Sequence, residues 1–132
     1  IMEFNKQTPI IVRAFHYDLL DEPEEKNEVN VAIRQVVATG EDGVEDAGEA
    51  GGYYEVAVVY DVTPDEDNII EISGVNTQVV QLLGYHGDGQ DLDQETYRLL
   101  SRPLVEYIET LTYEVSQVAL DEPINLDFEP NF

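Results

Sequence analysis

Leu104, Ile108, Leu111, Val115 and Val118 recur at i, i+4, i+7, i+11 and i+14, which places them along one side of a helix. A stripe of that length must be buried against something, so it dictates a partner surface elsewhere in the chain. Pro103 stands at its start, where a missing N–H costs least, and Ser101 is the expected cap. After the stripe the chain turns extended through Leu120-Asp121-Glu122-Pro123-Ile124-Asn125-Leu126-Asp127-Phe128. Everything before the helix must supply the surface that the stripe covers.

The segments upstream are strand-like. Thr8 to Leu20 alternates, with Ile11, Phe15, Tyr17 and Leu19 on one face, Val12, Ala14 and His16 on the other, and Arg13 interrupting the first. Asp21 to Asn27 is a polar connection containing Pro23. Val29 to Thr39 predicts a second strand, with Val29, Val31, Ile33 and Val37 opposite Asn30, Ala32, Arg34 and Val36. Tyr53 to Thr63 is the strongest strand, because Tyr54, Val56, Val58, Tyr60 and Val62 form an unbroken apolar face. Pro64 to Asn68 is a tight polar turn, so Ile69 to Leu83 returns antiparallel as the fourth strand, with Gly74 permitting a bulge or bend. Asp91 or Asp93 caps a short helix that runs to Leu100, and Pro103 breaks it and starts the next. Residues 40–52 are acidic and Gly-rich, which predicts a flexible loop inside a single domain spanning 1–132. The expected class is α+β: a four-stranded antiparallel sheet followed by two C-terminal helices on one face.

That order of elements, together with the wording from Ser101 to Phe128, resembles the SecB-like fold. The helix and its Pro-x-Asn-Leu-x-Phe ending are closest to an uncharacterised SecB-like family of low-GC Gram-positive bacteria, distantly similar to the SecB export chaperone. The resemblance implies a crossover between the first two strands. It also implies an ATP-independent chaperone or holdase for unfolded polypeptides, homo-oligomeric as a dimer or tetramer, acting in protein export or as a dedicated toxin-neutralising chaperone, and working without a cofactor.

Charge narrows the partners independently. The chain carries 6 Lys and Arg against 29 Asp and Glu, a formal net charge of -23. Such a field repels phosphate backbones and anionic lipid heads, so nucleic acid is excluded as a partner class, while basic or unfolded polypeptides are attracted. No apolar run reaches the roughly 20 residues of a spanning helix, so no membrane insertion is expected and the chain reads as cytoplasmic. Ile1 precedes Met2, and Met2 is the expected native start. With no Cys, neither disulfides nor thiolate metal sites are available.

No catalytic motif emerges. His16 and His86 are the only histidines, and no Ser sits in a Gly-x-Ser-x-Gly elbow, so the chain is not expected to be an enzyme. Asp88 to Glu95 spaces oxygen ligands as a Ca²⁺ loop does, yet Thr96 stands where the sharp-turn Gly belongs, and helix capping explains the same residues. The positive signal is an apolar second sheet face. Tyr53, Ala57 and Val59 lie opposite the main core face of their strand, beside Ala32 and Val36, and are the candidate peptide-binding residues. The competing readings are an acidic module for one folded basic partner and a hydrolase built from carboxylates and a divalent metal.

Overall fold

The computed structural model describes residues 3–37 and 48–126. In chain order it contains β1 (Phe4–Lys6), β2 (Ile11–Leu19), β3 (Asn27–Val36), β4 (Tyr53–Val62), β5 (Ile70–Leu82) and one helix, α1 (Gln94–Leu120). All strand pairings are antiparallel, in the order β1-β5-β4-β3, with β2 also on β5. The class is α+β, as expected, but among the described residues the sheet has five strands and there is a single helix.

The fifth strand arises at the N-terminal end. β1 pairs with Val80–Leu82 and β2 with Ile70–Thr77, so both lie along the same edge of β5. Pro9 between them has no N–H to give; before it, Gln7 N donates to Val79 O at 2.9 Å, and Thr8 Oγ1 accepts from the Val79 N–H at 3.0 Å. Within β2 the register shifts between Val12 and Ala14, leaving Arg13 as the extra residue of a bulge. Phe15, Tyr17 and Leu19 therefore share a face, whereas Ile11, expected beside them, is opposite Thr77 on the other side.

From β2 the chain crosses to the far edge of the sheet through residues 20–26. Backbone bonds pin this crossover to the β4–β5 turn: Leu20 N donates to Ile69 O at 2.7 Å, Glu24 N to Asn68 O at 2.9 Å, and Thr63 N to Lys26 O at 2.9 Å. A connection between the first two long strands that spans two others is the implied crossover.

The helix is continuous where two were expected. Asp93 caps it, its carboxylate accepting from Thr96 N at 2.9 Å, and Pro103 lies inside. An interior Pro costs about 3 kcal/mol, because it removes one helical bond and crowds the carbonyl four residues back. Burying Leu100, Leu104, Val105 and Ile108, which are 0–2% exposed, contributes about 1.5–3 kcal/mol each, so one unbroken seam outweighs the break. The carbonyl left without its donor belongs to Leu99, a residue 40% exposed on the outer side of the helix. Ser101 is no cap: its Oγ bonds Arg98 O at 3.3 Å inside the helix. The seam also turns after Ile108. Thr112 and Ser116 are buried in place of Val118, which is 88% exposed.

Of the expected flexible loop, residues 40–47 lie outside the described residues, and 48–52 are packed. Gly52 N donates to Tyr85 O at 2.7 Å and Gly51 N to Gly48 O at 3.0 Å. Gly51 must be glycine, since a Cβ there would stand 1.8 Å from Leu82 O. The core lies between the helix and one sheet face, formed by Val29 and Ile33 of β3, Tyr54 to Val62 at alternate positions of β4, Ile70, Ile72, Val80 and Leu82 of β5, and the helical seam.

Candidate functional site

The strand register fixes what the other sheet face presents. Reading across β2, β5, β4 and β3, one row is Ala14, Val75, Val59 and Asn30, and the next is Ile11, Thr77, Ala57 and Ala32. Beyond them Val79, Glu55 and Arg34 form a third row, and Asn5, Gln81, Tyr53 and Val36 a fourth. No described residue of the helix covers this side. Its centre is thus a shallow apolar strip of small and β-branched side chains.

The three residues expected to bind peptide all lie on this face of β4, with unequal exposure. Val59 is the most open, at 45%. Ala57 is partly buried between Thr77 and Ala32. Tyr53 is 8% exposed, and Gly48 lies against its ring, so it forms one wall of the strip and not its floor. Val75 and Val79 belong to the strip but were not singled out from the sequence. They become visible only once the β4–β5 register is known.

One end of the strip is ionic. Asp18 is opposite Glu71, and in the next row His16, Ser73, Asp61 and Glu28 are aligned. Lys26, arriving from the crossover, places its ammonium among these carboxylates: it bonds Glu71, and lies 3.4 Å from Asp61 and 3.9 Å from Glu24. The bond to Glu71 raises the lysine pKa, and the same bond holds the Glu71 carboxyl below its usual range. Asp61 moves the other way, pushed up first by burial and then by the neighbouring Glu71. Carboxylates therefore outnumber the single ammonium here. The opposite end lacks that excess of carboxylates: Arg34 Nε pairs with Glu55 at 3.0 Å, and Arg13 Nε donates to Thr77 Oγ1 at 3.1 Å. An extended segment laid on the strip would meet apolar contacts in the middle and an attraction for positive charge at one end.

The other residues weighed from the sequence have structural partners. Asp88 accepts from Gln90 N at 2.9 Å, Asp91 bonds the Tyr85 hydroxyl, and Asp93 is the helix cap, with its pKa lowered by the bonds from Thr96. His86 Nε2 lies 2.9 Å from Gly48 O, while His16 is exposed on β2. Among the described residues, no group of three or more His, Asp or Glu is placed to hold a metal ion, and no helix is long and apolar enough to cross a membrane.

The same architecture is found elsewhere. A protein of unknown function from Streptococcus agalactiae superposes with a TM-score of 0.77 at 24% identity, over 97% of this chain and 99% of that one. The SecB-like chaperone of Mycobacterium tuberculosis, solved in complex with a ChAD peptide from the HigA1 antitoxin, superposes with a TM-score of 0.55 at 11% identity, over 96% of this chain and 90% of that one. No curated protein matches by sequence. The fold is therefore shared with a SecB-like chaperone, and the family is shown by sequence: residues 2–128 match the model described as a protein of unknown function (DUF1149), and the chain belongs to that family.

Proposed function

We propose that this protein is an ATP-independent polypeptide-binding protein of the chaperone type, which holds unfolded segments on the uncovered sheet face. The observation that carries this reading is the apolar strip around Val59, exposed at 45% and bordered at one end by Asp18, Asp61, Glu71 and Glu28. Apolar contacts supply affinity for unfolded chains, and the carboxylate rows favour segments carrying Lys or Arg. The SecB-like neighbour of the same fold, solved with a peptide, supports it further. The reading needs no cofactor and no catalytic step. It places the protein in the cytoplasm as a homo-oligomer, the second supported by Leu99, Tyr107 and Val118, which stand exposed on the helix. Whether the clients are export precursors, an antitoxin or others follows from which polypeptides bind.

The test is suppression of aggregation of a chemically unfolded polypeptide, without nucleotide, at near-equimolar ratio. The wild type suppresses it, and Val59→Asp, which places a charge at the middle of the strip, loses most of the effect while keeping its far-UV circular dichroism. Equal holding by the two proteins would remove the open face from the account. No holding by the wild type, with tight binding of one folded basic protein, would favour the acidic single-partner module.

A further inference from the structure

The two edges of the sheet are built differently. One carries β1 and β2, parted at Pro9, and β2 is broken again by the bulge at Arg13. The other is β3, whose pairing with β4 runs from Asn27 to Val36 without a register shift and whose sequence holds no Pro and no Lys. Breaks, prolines and lysines are what keep a free edge from adding another strand, so β3 is the unguarded side. Its outward groups follow from the pairing. Thr63 N donates to Lys26 O, so Lys26 and every second residue after it, through Glu28 to Arg34, turn their backbone toward β4. Val29, Val31 and Ile33 turn theirs outward. Gln90, from the loop before α1, agrees with that parity, since its Nε2 donates to Ile33 O at 2.7 Å. Among the described residues no other group bonds this outer edge.

The side chains of β3 decide which strand fits there. Glu28 and Arg34 lie on its open face, and Val31, midway between them, lies on the core face and is only half-buried. A second β3 laid antiparallel about a two-fold axis at Val31 sets Val31 against Val31, Val29 against Ile33 and Asn30 against Ala32. Glu28 of each copy then stands opposite Arg34 of the other. The Arg34 side chain is 72% exposed although its Nε holds Glu55, so it is open to a second carboxylate. Glu28 faces Asp61 across its own pair, a repulsion that an incoming guanidinium relieves. Sliding the second copy to either neighbouring register sets Glu28 against Ala32 or Val36, and both ion pairs are lost. The matching register also joins the row of Val59 and Asn30 to the row of Ala32 and Ala57 in the other copy, so two apolar strips become one. An arbitrary unfolded strand offers no such reciprocal match.

We infer that the outer edge of β3 is a self-association edge, where a second copy of this chain pairs antiparallel about Val31 and extends the open face across both sheets. Val29, Val31 and Ile33 of the two chains supply about six backbone hydrogen bonds. Two of these need the Ile33 carbonyls that the Gln90 amides hold, so Gln90 competes with the second copy for the edge. The inference names a surface for the homo-oligomer of the proposed function, and it does not depend on whether the open face binds polypeptide. Each copy carries a formal charge of -23, so association strengthens as salt screens that repulsion, while the Glu28–Arg34 pairs choose the register.

The deciding experiment is sedimentation velocity of the full chain at about 0.15 M salt, where the Debye length is about 8 Å. The wild type is expected to dimerise. Glu28→Arg sets a cation against Arg34, and Arg34→Glu sets a carboxylate against Glu28. Each should weaken the dimer by about ten-fold or more, and an equimolar mixture of the two should restore it, because each chain then meets its complement. Gln90→Ala should tighten the wild-type dimer. The chain has no Cys, so register is read separately. Asn30→Cys and Ala32→Cys chains oxidised together should cross-link far faster than either alone, since only the mixed pair brings the two positions to a Cα separation of about 4.5 Å. A wild type that stays monomeric, or a dimer indifferent to both charge reversals, overturns the inference. So does equal cross-linking in the mixed and single samples, which decides even if Arg34→Glu, now beside Glu55, fails to fold. A monomer that still suppresses aggregation overturns this inference while sustaining the earlier reading.

Discussion

On β4, Tyr54, Val56, Val58, Tyr60 and Val62 point under the helix and are 0–3% exposed, while Glu55, Ala57, Val59 and Asp61 between them face outward, Val59 at 45%. One strand therefore serves two surfaces with opposite requirements. The covered face is continuous and aromatic-rich, and its few polar groups sit under the helix, as Asn76 does where its Nδ2 donates to Leu104 O at 3.3 Å. The uncovered face mixes valine and alanine with carboxylates and one lysine. Side chains that only had to stay soluble would not need a valine-and-alanine strip beside that ionic end. The difference separates the residues that hold the fold together from those to which the proposal assigns binding, so the two can be broken separately.

The largest expected effect is on the covered face. Leu104→Ala should cost about 2–5 kcal/mol in urea unfolding, since a fully buried leucine leaves a cavity between helix and sheet. Val59→Ala, on the same sheet, should stay within about 0.5 kcal/mol. Comparable losses would mean that the open face is covered in solution and that the contrast is wrong.

A smaller effect separates the faces by pH. The Tyr60 hydroxyl is buried without a hydrogen-bond partner, and desolvation pushes its pKa up to about 12. Its folded pKa lies above the unfolded value of about 10, so its contribution to stability is complete below pH 10 and is lost as pH rises toward 12. Tyr60→Phe should leave stability at neutral pH unchanged or slightly higher and flatten the decline across that alkaline window, as followed by urea midpoints. An undiminished alkaline decline would assign it to other tyrosines, such as Tyr85, whose pKa is also raised to about 12, first by burial and then by Asp91.

At the ionic end of the open face, Lys26→Met should raise the apparent pKa of Glu71, whose carboxyl the ammonium holds down. A lowered folded pKa contributes stability above the unfolded carboxylate pKa and loses it as pH falls, so the variant should lack that acid-side loss. It should also loosen the crossover, seen as faster amide exchange at Glu24 and Lys26, most clearly at low salt. An unchanged Glu71 titration, read by carboxyl NMR, would show that Lys26 does not occupy this place in solution.

Much of the fold was legible from local pattern. The alternation of Tyr53–Val62 and of Val29–Ile33 follows from a two-residue period and needs no knowledge of the partner strands. Gly74 was expected to permit a bulge or bend, but its strand stays in register with β4 there and the irregularity lies in β2; glycine is needed because a Cβ would lie 2.1 Å from Ala14 O. The failures are nonlocal. Pro103 sits inside a helix because burial on both sides of it outweighs a local preference, and Val118 is exposed because the segment after the helix, not the sheet, lies over Ser116. The bulge at Arg13 reverses the parity of half a strand, and only pairing with β5 reveals it. The same holds for the site. Val59 and Ala57 were visible as the outward face of β4, whereas Val75, Val79 and the Lys26 cluster are joined to them by register and by the crossover alone.

The central claim, that the uncovered face binds polypeptide, is tested most directly by methyl NMR of the valines during titration with an unfolded, basic and apolar polypeptide. The account predicts that Val59, Val75 and Val79 shift and broaden together while Val56 and Val58, on the covered face of the same sheet, remain in place. Shifts confined to Val118 on the exposed helix, with Val59 unmoved, would contradict it.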